Sequence, residues 1–227
     1  MKSQRLALLL VGSAKKPKST SEALGSYLLE RLGEQGYQIE MLQINHILRT
    51  DAGYNTLLNA TDRANIVVLA FPTYIDSLPA SVTKALEIVA EHRRTQGDIS
   101  QRFLAIANCG LPEPQHNYTA LEICRLFARE ARYSWAGGLA LGGGEALNGL
   151  SLKEAGWRAR NVVRALTLAS QALAKDEIVP EEAFELMGKS IVPTWIYLLV
   201  GAFGWKQRAR IFGSRANLQD RPFQREI

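Results

Sequence analysis

Residues 6–24, LALLLVGSAKKPKSTSEAL, admit two incompatible readings. With Lys2 and Arg5 ahead of an apolar run and small residues behind it, the stretch has the layout of a secretory leader. Read instead as a buried strand, a loop and the start of a helix, it is an anion-holding turn inside a folded domain. The second reading is preferred. An apolar core of about seven residues is at the lower limit for a leader, and Ser19 with Glu22 forms the S-x-x-E pattern of a capping box, which a discarded leader does not need. A cytoplasmic protein is expected.

Downstream, short β-rich runs alternate with helical stripes. After the strand LALLLV, the residues Ala23, Leu24, Tyr27, Leu28 and Leu32 recur at helical spacing until Gly33 and Gly36 end the run. YQIEMLQI reads as a second strand. NIVVLAF, residues 65–71, is a third, continuous in apolar residues as a strand covered on both faces must be. It stops at Pro72. Pro79 then sits in the first turn of a helix that carries Val82, Ala85, Leu86 and Val89 on one face.

RFLAIAN is the fourth strand, residues 118–132 a helix through Leu121, Cys124 and Phe127, SWAGGLAL a weaker fifth strand, and Leu152 to Ala174 one long helix. Regular β–α alternation argues for a parallel sheet with helices on both faces, joined by right-handed crossovers. The expected division is a domain over 1–175 and a helical extension over 176–227.

Composition limits what the chain can be. With 227 residues, 47% hydrophobic and 22% charged, it builds one substantial core and is short for two. The formal charge of +5 is thinly spread except near the end, where Lys206, Arg208, Arg210, Arg215, Arg221 and Arg225 face only Asp220 and Glu226. No nucleic-acid motif accompanies these residues, so a solvated or subunit-packing tail is expected and nucleic acid is not. Cys109 and Cys124 have neither the number of a disulfide scaffold nor the spacing of a metal site, which fits a reducing compartment and no bound metal.

In an open parallel sheet, ligands bind outside the carboxyl ends of the strands where strand order reverses. The relevant loops are GSAKKPKSTS, PTYIDSLP and NCGLPEPQHN. The first places Gly12, Ser13, Ser19, Thr20 and Ser21 at a helix start with Lys15, Lys16 and Lys18 nearby, a good setting for a phosphate dianion. The dinucleotide fingerprint G-x-G-x-x-G is missing. The triphosphatase pattern G-x-x-x-x-G-K-[ST] aligns at Lys18 and Ser19 but meets Pro17 where glycine belongs, and Pro17 has no N–H to offer. The third strand also ends in Ala70-Phe71-Pro72, without an aspartate for magnesium. A single terminal phosphate, bound and not cleaved, suits such a loop.

On these stretches, VGSAKKPKSTSEAL, FPTYIDSLPASVTKALE and NCGLPEPQHNYTALEI, the sequence resembles the NAD(P)H-dependent FMN reductase branch of the flavodoxin-like superfamily, over residues 5 to 175. The resemblance implies a doubly wound α/β sandwich with a five-stranded parallel sheet in order 2-1-3-4-5. It implies that Ser13, Ser19, Thr20 and Ser21 contact the phosphate of FMN, with Lys15 beside them. Pro72, Thr73, Tyr74 and Ile75 would then lie along the ribityl chain and isoalloxazine ring, and Asn108, Cys109 and Gly110 at the ring's other edge.

The implied activity is hydride transfer from NADH or NADPH to FMN and on to a small acceptor such as a quinone, flavin or nitro compound. The alternative is an FMN-binding electron carrier without nicotinamide turnover. Such chemistry asks the protein for binding and orientation rather than for an acid–base pair. The residues that could still protonate an acceptor are Asp76, Glu113 and His116. Gly142, Gly143 and Gly144 form a glycine tract open to two readings, an opening for nicotinamide or a simple turn. The resemblance also implies a homodimer. The apolar run SIVPTWIYLLVGAFGW, 190–205, falls short of the roughly 20 residues of a spanning helix. It is expected to pack on the domain or a second subunit, with contact to a membrane surface the minor reading.

Overall fold

Strand β1 (Leu6–Val11) is apolar and buried at every position. The same holds for β3 (Ile66–Pro72) as far as Phe71 and for β4 (Arg102–Asn108) from Phe103 onward. Such strands belong in the middle of a sheet covered on both faces. The computed structural model, which describes residues 5–15, 18–96, 100–147, 149–214 and 220, puts them there.

The sheet is five-stranded and parallel throughout, in the order β2-β1-β3-β4-β5, with β2 (Gln38–Gln43) and β5 (Ser134–Leu141) at its edges. This is the expected doubly wound order, and strand order reverses between β1 and β3.

Helices α1 (Thr20–Glu34), α2 (Ile44–Ile47), α3 (Asp51–Arg63), α4 (Ala80–Arg94), α5 (Tyr118–Glu130), α6 (Leu152–Ala155), α7 (Arg160–Ala174), α8 (Glu181–Met187) and α9 (Thr194–Ile211) complete the chain. On one face, α3, α4 and α5 close over Leu8, Leu10, Leu69, Phe71, Phe103 and Ala105, burying Leu57, Val82, Leu86 and Phe127 against them. Phe103 meets Phe127 edge-on, with ring centroids 5.2 Å apart. On the other face α1 lies so close to Leu9 that a Cβ on Gly25 would stand 2.4 Å from a Leu9 methyl, and α7 packs against α1. A side chain larger than hydrogen at position 25 would force the buried Leu9 side chain or α1 itself to shift.

Two elements differ from the sequence reading. Helix α3 is not among the segments the apolar pattern picks out, because DAGYNTLLNATDR carries glycine, two asparagines and few apolar residues. Thr50 starts it by accepting a hydrogen bond from the Gly53 N–H. The long helix expected from Leu152 to Ala174 is broken: α6 ends at Ala155, Gly156 takes φ +58, and a short 3-10 turn leads into α7. That φ is open to glycine at little cost.

The chain divides into two units, Met1–Ile191 and Val192–Ile227. Helix α8 packs on α7 and β5 within the first. Lys16 and Pro17 of the first loop lie outside the described residues, as do Arg215, Arg221, Arg225 and Glu226 of the basic tail.

Candidate functional site

The carboxyl ends of β1, β3 and β4 deliver three loops to one edge of the sheet, beside the reversal of strand order. Ser19 caps α1, accepting from the Glu22 N–H at 3.1 Å with an extended backbone. That bond uses an oxygen lone pair, so the Ser19 hydroxyl proton stays available to an anion. The first N–H groups of α1 have no carbonyl four residues behind them to bond, and the helix dipole adds partial positive charge there. Ser13 accepts from the Lys15 N–H at 3.2 Å, which folds the loop back on itself and likewise leaves its hydroxyl proton. Lys15 and Lys18 are exposed at the rim.

The other two hydroxyls are placed differently. Thr20 Oγ1 donates to the Gly144 carbonyl at 2.8 Å, so its proton is committed to the loop after β5. Ser21 is buried and accepts from Asn108 Nδ2 at 2.8 Å. Asn108 Nδ2 also donates to the Phe71 carbonyl at 3.0 Å, so this amide ties β3, β4 and α1 together beneath the loops. Sequence reasoning groups the four hydroxyls. The structure separates Thr20, whose proton goes to the Gly144 carbonyl, and Ser21, which receives Asn108 beneath the loops, from Ser13 and Ser19, which receive only backbone N–H groups of the first loop and helix start.

After β3, Thr73 continues the pairing by donating its N–H to the Asn108 carbonyl at 2.9 Å, and Pro72 is partly exposed beside it. Tyr74 and Ser77 exchange backbone hydrogen bonds of 3.0 and 3.3 Å around Ile75 and Asp76, at φ +51 and φ +60. Two successive positive φ values make this a type I′ turn, in which glycine and asparagine are favoured and a β-branched residue is strained. Ile75 is nonetheless 100% exposed and Tyr74 56% exposed. No packing explains an isoleucine there. A second tie holds the turn: His116 Nδ1 lies 2.8 Å from Asp76 Oδ1, linking the tip to the loop after β4. The Glu113 side chain stays exposed.

In that third loop Cys109 turns inward, its thiol donating to the Leu111 carbonyl at 3.2 Å and receiving Asn117 Nδ2 at 3.3 Å. Burial, only partly offset by these hydrogen bonds, pushes its pKa up and keeps it a protonated thiol. Its N–H donates to the Leu141 carbonyl. Of the three residues expected at the ring's edge, Asn108 and Cys109 are therefore internal, while Gly110 is half-exposed beside the exposed Leu111.

Sequence reasoning passes over Asn117, which is fully buried. It accepts from Thr73 Oγ1 at 3.0 Å and donates to the Leu141 and Pro114 carbonyls, so one amide fixes the loops after β3 and β4 to β5. It makes no cap bond, and only the tertiary arrangement reveals its use.

The glycine tract is neither open nor loose. Gly142, Gly143 and Gly144 are buried, and the N–H groups of Gly143 and Gly144 donate to the Leu111 and Cys109 carbonyls. Further along, Gly149 has φ +72, and a Cβ there would stand 2.6 Å from the Lys18 carbonyl oxygen. The loop after β5 thus clamps the first and third loops together. Ser151 and Glu154 form a complete capping box at its end. The Ser151 hydrogen bonds and then the charge of Lys18 hold the Glu154 carboxyl below its usual pKa range.

No protein-family model matches the sequence, and no curated protein sequence matches it. Solved structures do resemble the fold. A structure of NADH:FMN oxidoreductase in its apo form is 15% identical with a TM-score of 0.55, covering 84% of this chain and 97% of that one. The Trp repressor binding protein from Bacillus subtilis is 12% identical with a TM-score of 0.55, covering 71% of this chain and 95% of that one. An azoreductase from Bacillus anthracis str. Sterne is 12% identical with a TM-score of 0.51, covering 76% of this chain and 100% of that one. Identities this low establish architecture, and with the sheet order 2-1-3-4-5 they place this chain in the flavodoxin-like fold.

Proposed function

We propose that the protein is an FMN-dependent NAD(P)H oxidoreductase. The observation that carries this reading is the end of α1: first-turn N–H groups and two hydroxyls with protons to spare, Ser13 and Ser19, at the reversal of strand order. This donor set suits a phosphate monoester, which accepts hydrogen bonds and is negatively charged. When bound there, FMN would supply the redox chemistry, uptake of hydride from a nicotinamide and delivery of electrons to a second substrate.

The chain's own residues bind and orient. Ser13, Ser19 and the start of α1 hold the phosphate, with Lys15 and Lys18 adding positive potential at the rim. Pro72, Thr73 and the Tyr74–Ser77 turn flank the ribityl chain and ring, with the exposed side chains of Tyr74 and Ile75 as the apolar surface. Gly110 and Leu111 close the opposite edge. The strain at Ile75 supports a functional turn, since strained backbone survives where the surroundings over-determine it. The acceptor is a small planar oxidant such as a quinone, flavin or nitro compound, and the working unit is a homodimer.

Purified protein mixed with FMN is expected to retain yellow flavin absorbance after desalting and to melt at higher temperature. Colourless protein with an unchanged melt would sink the reading.

A further inference from the structure

We propose that α9 seats this protein in one leaflet of an anionic membrane. Trp195, Leu198, Leu199, Val200, Phe203 and Trp205 are between 62% and 70% exposed. At 3.6 residues per turn these side chains and Ile196 spread over more than half of the helix circumference, and between Thr194 and Trp205 only Thr194, Tyr197, Gly201 and Gly204 fall on the remaining strip. A helix that meets a single protein surface carries one apolar stripe. One that is apolar over most of its girth needs a medium that wraps it.

Charge selects the medium. The apolar stretch runs directly into Lys206, Arg208 and Arg210, all exposed, and no acidic residue occurs anywhere in α9. Apolar bulk followed by cations in a helix without acidic residues matches hydrocarbon beneath anionic headgroups, with long basic side chains reaching back to the phosphates. Trp205 stands at the junction between the apolar stretch and the basic residues, and tryptophan is enriched at that boundary.

Length limits the depth. No helix among the described residues is long and apolar enough to cross a membrane. From Thr194 to Trp205 the helix measures about 18 Å, against about 30 Å of hydrocarbon in a bilayer. Occupation of one leaflet is what this length allows.

The test uses the full chain carrying Trp135→Phe and Trp157→Phe, which leaves only the two α9 tryptophans. It is mixed with vesicles of phosphatidylcholine alone or of equal parts phosphatidylcholine and phosphatidylglycerol, some with brominated acyl chains. The expected result is co-sedimentation with the anionic vesicles, a blue-shifted emission and quenching by the bromolipid. Lys206→Glu with Arg208→Glu and Arg210→Glu is expected to weaken partitioning by at least about a hundredfold, from the value of a basic residue at an anionic surface. Trp195→Ser with Leu199→Ser and Phe203→Ser is expected to abolish it, with circular dichroism confirming that the rest of the chain is folded.

Protein that stays in the supernatant with both vesicle types overturns the proposal. So does a vesicle-independent dimer that the serine variant dissolves, which would assign the apolar face to a second copy. Neither result bears on FMN binding, which is read separately from flavin absorbance.

Discussion

Ser19 caps α1 and, under the proposed function, also donates to the FMN phosphate, and the two contributions can be separated by substitution. As the cap of α1 it contributes stability with or without ligand, and as a hydroxyl donor it matters only when a phosphate is present. Ser19→Ala is expected to cost about 1 kcal/mol of folding stability, measured by urea denaturation. It is also expected to weaken FMN binding roughly tenfold or more, the value of a hydrogen bond to a charged group. Thr20→Val is the contrasting case, because the Thr20 proton is already given to the Gly144 carbonyl. It is expected to lower stability by about 1 kcal/mol and leave FMN affinity within a few-fold. Equal losses of FMN affinity in both variants would show that Thr20 contacts the phosphate after all.

Both cysteines are buried and burial raises their pKa values; burial likewise pushes Tyr133 up to about 12. A group whose folded pKa is raised contributes stability below its unfolded pKa and loses that contribution as pH climbs through the folded value. Folding stability is therefore expected to hold below about pH 8.5, where unfolded thiols begin to ionise, and to decline above it. Iodoacetamide at neutral pH is expected to label the native chain far more slowly than the urea-unfolded chain. Rapid native labelling would mean that Cys109 is a reactive group.

Among the elements, the Tyr74–Ser77 turn gives the sharpest test. Ile75 makes no buried contact and sits at φ +51, so Ile75→Gly removes strain without removing packing. It is expected to stabilise the apoprotein by about 1 kcal/mol in urea denaturation while weakening FMN binding in a fluorescence titration. A variant that is less stable would mean that the isoleucine contributes to folding in a way its exposure does not reveal.

Much of this element-level structure is legible in sequence. The unbroken apolar runs of β1, β3 and β4 announce central strands, and Ser19 with the helical spacing after it marks the start of α1. Three things are not legible, each for a physical reason. Helix α3 buries Gly53, Leu57, Ala60 and Thr61 at helical spacing, but two of these four are glycine and threonine, so the buried face does not stand out as an apolar stripe. The break at Gly156 depends on a backbone angle that composition does not encode. The destinations of the Thr20, Ser21 and Asn117 side chains depend on which loops meet at the sheet edge, which only the tertiary fold decides.

At the scale of the whole molecule, a flavodoxin-like sheet carries the start of α1, which the loop after β5 clamps in place. Gly149→Ala tests the clamp: with φ +72 and the Lys18 carbonyl 2.6 Å from the added carbon, it is expected to displace the first loop. FMN affinity should fall by at least tenfold in a fluorescence titration. Unchanged affinity would separate the clamp from the site. Ligand linkage offers a further check, since FMN at a hundred times its Kd is expected to add about 2.7 kcal/mol to stability. The most direct measurement of the central claim is the visible spectrum of FMN-loaded protein in the absence of oxygen, recorded as NADH or NADPH is added. The account predicts flavin absorbance that bleaches stoichiometrically and returns when a quinone is supplied; bound flavin that stays oxidised with both nucleotides would contradict it and leave an FMN-binding carrier in its place.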